Sequence, residues 1–152
     1  IDGKDTDTPG YHQTHSCYAV ASFHEALRIS LTHGRAQKAA DYAFHEAILR
    51  DAVASMGCKV TSNMTSLVVL DLPDALGGRE KELVQGCRAE GFAIWPTLSE
   101  PVQVRIGILN QLSEEAITDI VGRFADAMIK MGANDLDKAA ILAEVKKRFA
   151  AA

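Results

Sequence analysis

Between Cys17 and Thr32 the chain sets Val20, Phe23, Ala26, Leu27 and Leu31 on one face of a helical repeat. His33-Gly34 closes that repeat with a basic residue before a glycine. A second helical segment, from about Ala36 to Met56, turns Ala39, Ala40, Ala43, Ala47, Ile48 and Val53 toward a core, and Gly57 stops it. The period then changes. Within Thr65–Leu72, Leu67-Val68-Val69-Leu70 is a continuous apolar run closed by Pro73, as in a strand buried on both faces. Gly77-Gly78 opens a loop, and Arg79–Glu90 reads as a helix with Leu83, Val84 and Cys87 inward, ended by Gly91. Phe92-Ala93-Ile94-Trp95 follows as a strand halted by Pro96. Val102–Leu109 alternates: Val102, Val104, Ile106 and Ile108 face one way, Gln103, Arg105 and Gly107 the other. Ser113 then caps a helix with Glu114 and Glu115 in its first turn, where the dipole favours anions. Ile117, Ile120, Val121, Phe124 and Met128 form its apolar stripe, and Gly132 ends it. A last helix, from about Leu136 to Ala150, uses Leu142, Val145 and Phe149.

This order predicts an α+β domain: a small, mostly antiparallel sheet covered on one side by helices. Phe92–Trp95 and Val102–Leu109 have no helix between them and pair antiparallel across a short loop. Residues 1–16 form a polar, turn-rich extended arm, and 17–152 form the domain with its long N-terminal helix. The first residue is Ile1, not methionine, so the chain is expected to be a portion of a longer protein.

Composition narrows the function classes. The formal charge of -4, with no basic run, excludes a nucleic-acid surface as the expected role. No apolar stretch has the length of a membrane span, and the polar start does not read as a signal peptide. Cys17, Cys58 and Cys87 are odd in number and widely spaced, each in an apolar setting. They are expected to be buried free thiols in a reducing compartment, the cytoplasm.

Few residues stand out as chemistry. Arg105 lies on a strand between Gln103 and Gly107, where a planar guanidinium beside a cleared space suits two-point capture of a carboxylate. The competing reading is an exposed strand arginine in a surface ion pair. Tyr11 and Thr14 put a phenol and a hydroxyl three residues apart on the arm, where both can reach one anion such as a phosphate, or simply be solvated. The histidines His12, His15, His24, His33 and His45 have no ligand spacing backed by a carboxylate or cysteine, so no metal is expected. Cys87 reads as an inert core thiol. Trp95 reads as a strand-end core aromatic, or as the wall of a pocket.

The chain has a longer-range likeness. Tyr11-His12-Gln13-Thr14 leads into Ser22-Phe23-His24-Glu25-Ala26-Leu27, and a helix ends in Ala54-Ser55-Met56-Gly57-Cys58. The Leu67–Leu72 strand follows, then Arg88-Ala89-Glu90-Gly91-Phe92-Ala93-Ile94. Last come Val104-Arg105-Ile106-Gly107-Ile108-Leu109 and a helix starting near Ser113. From Tyr11 to Met131 this series resembles the C-terminal portion of the class V aminotransferases of fold type I, pyridoxal-phosphate enzymes, in their alanine–glyoxylate and serine–glyoxylate branch.

The resemblance implies a transaminase moving an amino group between an amino acid and a 2-oxo acid such as glyoxylate or pyruvate. Arg105 matches the arginine that binds the substrate carboxylate. Tyr11 and Thr14 match positions that reach the cofactor phosphate of the partner in a homodimer. The Schiff-base lysine and the aspartate for the pyridinium nitrogen would precede Ile1, and the chain alone is expected to be inactive. Two departures put substrate preference in question. The loop Pro96-Thr97-Leu98-Ser99-Glu100-Pro101 lacks the glycines usual there, and Asn110-Gln111 stands where relatives carry small residues. Two other readings are a lyase or desulfurase of the same superfamily, the latter needing a mobile loop cysteine, and a non-catalytic module binding a partner or small carboxylate.

Overall fold

A computed structural model describes residues 17–62, 64, 66–98, 100–108 and 112–151. The chain divides into two compact units, Ile1–Gln37 and Lys38–Ala152. The described part of the first is α1 (Cys17–His33) and the opening of α2 (Arg35–Ser55), separated by Gly34 alone. Gly34 adopts φ +83°, the left-handed conformation that ends a helix at little cost only for glycine. The apolar stripe of α1 forms as a helical face but stays exposed: Phe23 is 66% and Leu31 70% accessible. Cys17, expected to be buried, is exposed on the same helix.

In the second unit α2 continues into β1 (Lys59–Val60) and β2 (Leu67–Asp71), then a 3₁₀ turn at Asp74–Leu76 and α3 (Glu80–Ala89). After α3 come β3 (Trp95–Pro96), β4 (Val104–Gly107), α4 (Glu114–Lys130) and α5 (Lys138–Ala150). The sheet order is β1-β2-β4-β3, antiparallel throughout. This is the α+β arrangement expected from the sequence.

Successive strand residues point to opposite faces. Val68 and Leu70 of β2 and Val104 and Ile106 of β4 are buried, and they meet in register, Val68 against Ile106 and Leu70 against Val104. The helices lie on that face. Ile48, Leu49, Ala52 and Val53 of α2 join Leu83, Val84 and Cys87 of α3 in one cluster with Phe124, Val121 and Met128 of α4 and Ile141 and Val145 of α5. The expectation that β2 is buried on both faces fails, because Leu67, Val69 and Asp71 are only half-buried. Four apolar residues in a row fit either a doubly covered strand or one covered on a single side, and here no described helix covers the second side.

In α2 the alanines at 39, 40 and 43 are exposed. A methyl group buries too little area to fix a helix face, and the larger Ile48, Leu49 and Val53 fix it instead. The local start and stop signals hold well. The Ser113 hydroxyl accepts from Ala116 N at 3.1 Å, and Asp137 caps α5 in the same way at 2.9 Å. Gly91, at φ +80°, ends α3. The neighbouring Glu90 carbonyl is taken by Arg123 of α4.

Two polar groups of α2 are buried. Glu46 pairs with Arg50, which also donates to the Ser62 carbonyl at 2.7 Å. His45 lies beside Phe44 and Phe149, whose rings meet edge-on with centroids 5.3 Å apart, and its Nδ1 has no hydrogen-bond partner among the described residues. Burial pushes the His45 pKa below its usual 6.5, with Asp41 one turn away partly opposing the shift. The unfolded chain therefore binds a proton near pH 6 that the folded chain resists. The His45 contribution is fully present above about pH 6.5 and is lost as pH falls below that value. His45→Phe should flatten this acid-side loss. Urea midpoints compared at pH 5.5 and pH 7.5 check it: an equal midpoint shift in wild type and variant would show that His45 is not the titrating group.

Candidate functional site

The uncovered face of the sheet carries the candidate chemistry. β4 places Arg105 in the middle of it, opposite Val69 of β2 on one side and Trp95 of β3 on the other. Residues paired across antiparallel strands share a face, so the guanidinium stem, the indole and the Val69 side chain project from the same surface. Gly107, two residues along, adds no side chain, and Gln103 stands two residues back.

The Gln103 end of this face is tied down. Its Nε2 donates to Asp71 Oδ1 at 2.7 Å and to Thr61 Oγ1 at 3.1 Å, bridging β4 across β2 to the chain beyond β1. Its backbone N donates to the Thr97 hydroxyl at 2.8 Å, and its carbonyl accepts from Thr97 N at 2.8 Å. Asp71, the acidic side chain nearest in register, is thus engaged by an amide.

Arg105 is half-buried, yet its guanidinium makes no hydrogen bond or ion pair among the described residues. Four other arginines of the second unit, Arg50, Arg79, Arg123 and Arg148, are each held by a carboxylate, and Arg88 is exposed to water. The surface ion pair considered for Arg105 does not form among the described residues. A guanidinium partly withdrawn from water and left without an acceptor carries a desolvation cost that an incoming carboxylate relieves.

Tyr11 and Thr14 lie outside the described residues. Cys58 and Cys87 are buried and free, and burial pushes both thiols up to about 12, so neither offers a thiolate near neutral pH. Among the described residues no group of three or more His, Cys, Asp or Glu could hold a metal. No helix among them is long and apolar enough to cross a membrane.

Trp95, read as a core aromatic, is instead 47% exposed. Ile94, just before β3, is buried, and Trp95, its first residue, turns outward. The signal missed in the sequence was this one-residue alternation between an inward isoleucine and an outward tryptophan. A broad groove of the unit lies elsewhere, between α4 and α5, and is lined by Thr118, Asp119, Arg123, Asp126, Lys138 and their neighbours. Within it Arg123 pairs with Asp119 and Lys138 with Asp126, and Arg105 does not line it.

No protein-family model matches the chain, and no curated protein matches it. Solved structures do. Ureidoglycine-glyoxylate aminotransferase from Bacillus subtilis superposes with a TM-score of 0.79 over 91% of this chain, at 16% identity. Pyridoxamine-pyruvate aminotransferase from Mesorhizobium loti superposes with a TM-score of 0.74 over 95%, at 21% identity. The chain shares their fold and spans 37% and 38% of their respective lengths.

Proposed function

We propose that this chain is the substrate-carboxylate portion of a pyridoxal-phosphate-dependent aminotransferase. The observation that carries this reading is Arg105, a half-buried guanidinium without a partner among the described residues, in the middle of the sheet face that no helix of the second unit covers. It stands in a fold shared with two aminotransferases, one named for glyoxylate and the other for pyruvate. The reaction is transfer of an amino group between an amino acid and a 2-oxo acid, with glyoxylate or pyruvate as acceptor.

Arg105 acts by orientation. Its two parallel N–H donors hold both oxygens of the α-carboxylate, which fixes the rotation of the substrate about its Cα–carboxylate bond. The strand supplies the rigidity, since β4 is paired on both sides. Gln103 keeps the Asp71 carboxylate engaged, so an internal anion does not compete for the guanidinium.

Pyridoxal phosphate, when bound, supplies the electron sink for the transfer. The described residues do not fit a cradle for it. Lys130, Lys138 and Lys147 are paired with Glu90, Asp126 and Glu144, Lys59 stands exposed at the outer edge of the sheet, Lys81 and Lys146 are exposed on α3 and α5, and Lys38 lies in the first turn of α2. The reading therefore assigns the cofactor phosphate to Tyr11 and Thr14, across a homodimer, and the Schiff-base lysine to sequence before Ile1.

Nitrogen tracing tests the reaction. The full-length protein, supplied with pyridoxal phosphate, glyoxylate and ¹⁵N-labelled alanine, serine and phenylalanine in separate reactions, should yield ¹⁵N-glycine from at least one donor. Parallel reactions of the labelled serine and phenylalanine with pyruvate should yield ¹⁵N-alanine from at least one of them. Absence of label transfer from every donor to both acceptors would overturn the assignment.

A further inference from the structure

Two neighbouring side chains on the open sheet face have binding capacity that no described residue takes up. One is the Arg105 guanidinium. The other is Trp95, its register partner on the edge strand β3. Nearly half of Trp95 is exposed, and among the described residues its indole N–H has no acceptor and its ring no stacking partner. A tryptophan left bare on a strand edge forgoes a large burial energy, since such a side chain can bury roughly 150–250 Å².

Geometry joins the two. Paired residues on antiparallel strands hold their Cβ atoms about 5 Å apart. A ligand whose carboxylate enters the Arg105 fork therefore lays its next two or three carbons, and any ring they carry, alongside the indole. Val69 on the opposite side is aliphatic and half-buried, so apolar surface flanks the fork on both sides. An anion alone satisfies Arg105 and leaves Trp95 bare, whereas an anion with a flat apolar group attached satisfies both.

We propose, resting on the reading of Arg105 above, that Trp95 is the specificity-determining residue of this site and that the amino donor is an aromatic amino acid. Its carboxylate sits in the Arg105 fork and its ring lies against the indole. Glyoxylate and pyruvate are too short to reach Trp95, so the indole discriminates among donors and leaves acceptor binding nearly untouched.

The chain contains a single tryptophan, so one indole N–H resonance of a ¹⁵N-labelled sample reports this residue alone. Titration with 3-phenylpropionate should move that resonance and the Arg105 Nε–H resonance together and saturably. Propionate should move the arginine resonance with roughly five-fold weaker affinity, the size expected of one aromatic pair. 3-Phenylpropanol, which has the ring without the anion, should bind far more weakly than either acid. Trp95→Ala should abolish the preference for 3-phenylpropionate over propionate, and Trp95→Leu should restore only part of it. Both are read from Arg105 Nε–H, with unchanged dispersion of the β4 amides showing that the sheet is intact. Arg105→Lys should weaken both acids alike.

The outcomes separate the two claims. A preference that survives Trp95→Ala removes Trp95 from specificity and leaves Arg105 in place. Failure of both acids to move Arg105 Nε–H removes the carboxylate reading and this proposal with it. If 3-phenylpropanol binds as tightly as 3-phenylpropionate, the face is only an apolar patch. An indole shift that tracks protein concentration, with a matching rise in sedimenting mass, would mean that a second copy of the chain covers the face. Either of these last two results overturns the proposal.

Discussion

Phe124→Ala should lower the unfolding free energy by about 3–5 kcal/mol, as for other fully buried phenylalanines cut to alanine. Phe124 has no accessible surface and lies on α4, the helix that packs against both α3 and α5. Removing its ring loses the transfer energy of the ring and leaves a void bordered by residues of several elements, which cannot all close on it. Domains of this size hold only about 5–15 kcal/mol in reserve, so the variant gives up a large share of its stability. Phe23→Ala, at a position 66% exposed on α1, should by contrast change stability by no more than about 0.5 kcal/mol. Urea unfolding followed by far-UV circular dichroism measures both. A loss below about 1 kcal/mol at Phe124 would mean that the α4 packing described here is wrong.

The contrast between those two phenylalanines shows where the sequence was informative. The apolar period of α4 and its Ser113 cap were both legible, because period, cap and a terminating glycine all reported the same helix. The period of α1 was equally legible, yet it predicts only that a face exists, not that anything covers it. Phe23 and Leu31 satisfy the helical pattern and remain exposed.

The sheet shows the same division. Alternation through Val104, Arg105, Ile106 and Gly107 assigned the faces of β4 correctly, since a period of two leaves one choice. The two-residue strands carry no period at all. β1 at Lys59–Val60 was unread for that reason, and β3 was placed over Phe92–Trp95 although only Trp95 belongs to it. The sequence predicts that Pro96 halts β3, but Pro96 lies inside it, at the outer edge of the sheet, where a missing N–H costs no ladder bond. Arg105 was legible as a strand arginine beside a glycine. That no described residue partners it was not legible, because the nearest carboxylate in register, Asp71, is engaged by Gln103, thirty-two residues away in sequence.

Arg105→Lys carries the proposed function's largest expected effect on catalysis. Lysine keeps the positive charge but replaces a planar two-point donor with a single ammonium, so it can hold one carboxylate oxygen well and cannot fix the rotation of the carboxylate. In the full-length enzyme the specificity constant should therefore fall roughly ten-fold or more. Arg105→Ala, which also removes the charge, should cost about 2–5 kcal/mol of transition-state stabilisation, the range for truncating one partner of a buried charge-assisted pair. Cofactor absorbance and cofactor affinity should be unchanged in both variants, because the reading places the phosphate on other residues.

Gln103→Leu supplies a check that leaves Arg105 itself intact. It frees the Asp71 carboxylate from its amide partner on the same sheet face, and a carboxylate released there competes with substrate for the guanidinium. KM should rise while the charge and geometry of the fork stay the same, and the added change Asp71→Asn should bring KM back. A structural arginine behaves otherwise: its substitution lowers the unfolding midpoint while the rate per folded active site stays near wild type. If Arg105→Lys transaminates at an unchanged specificity constant, the carboxylate is held by another residue, and the fold likeness is left without the side chain that ties it to this reaction.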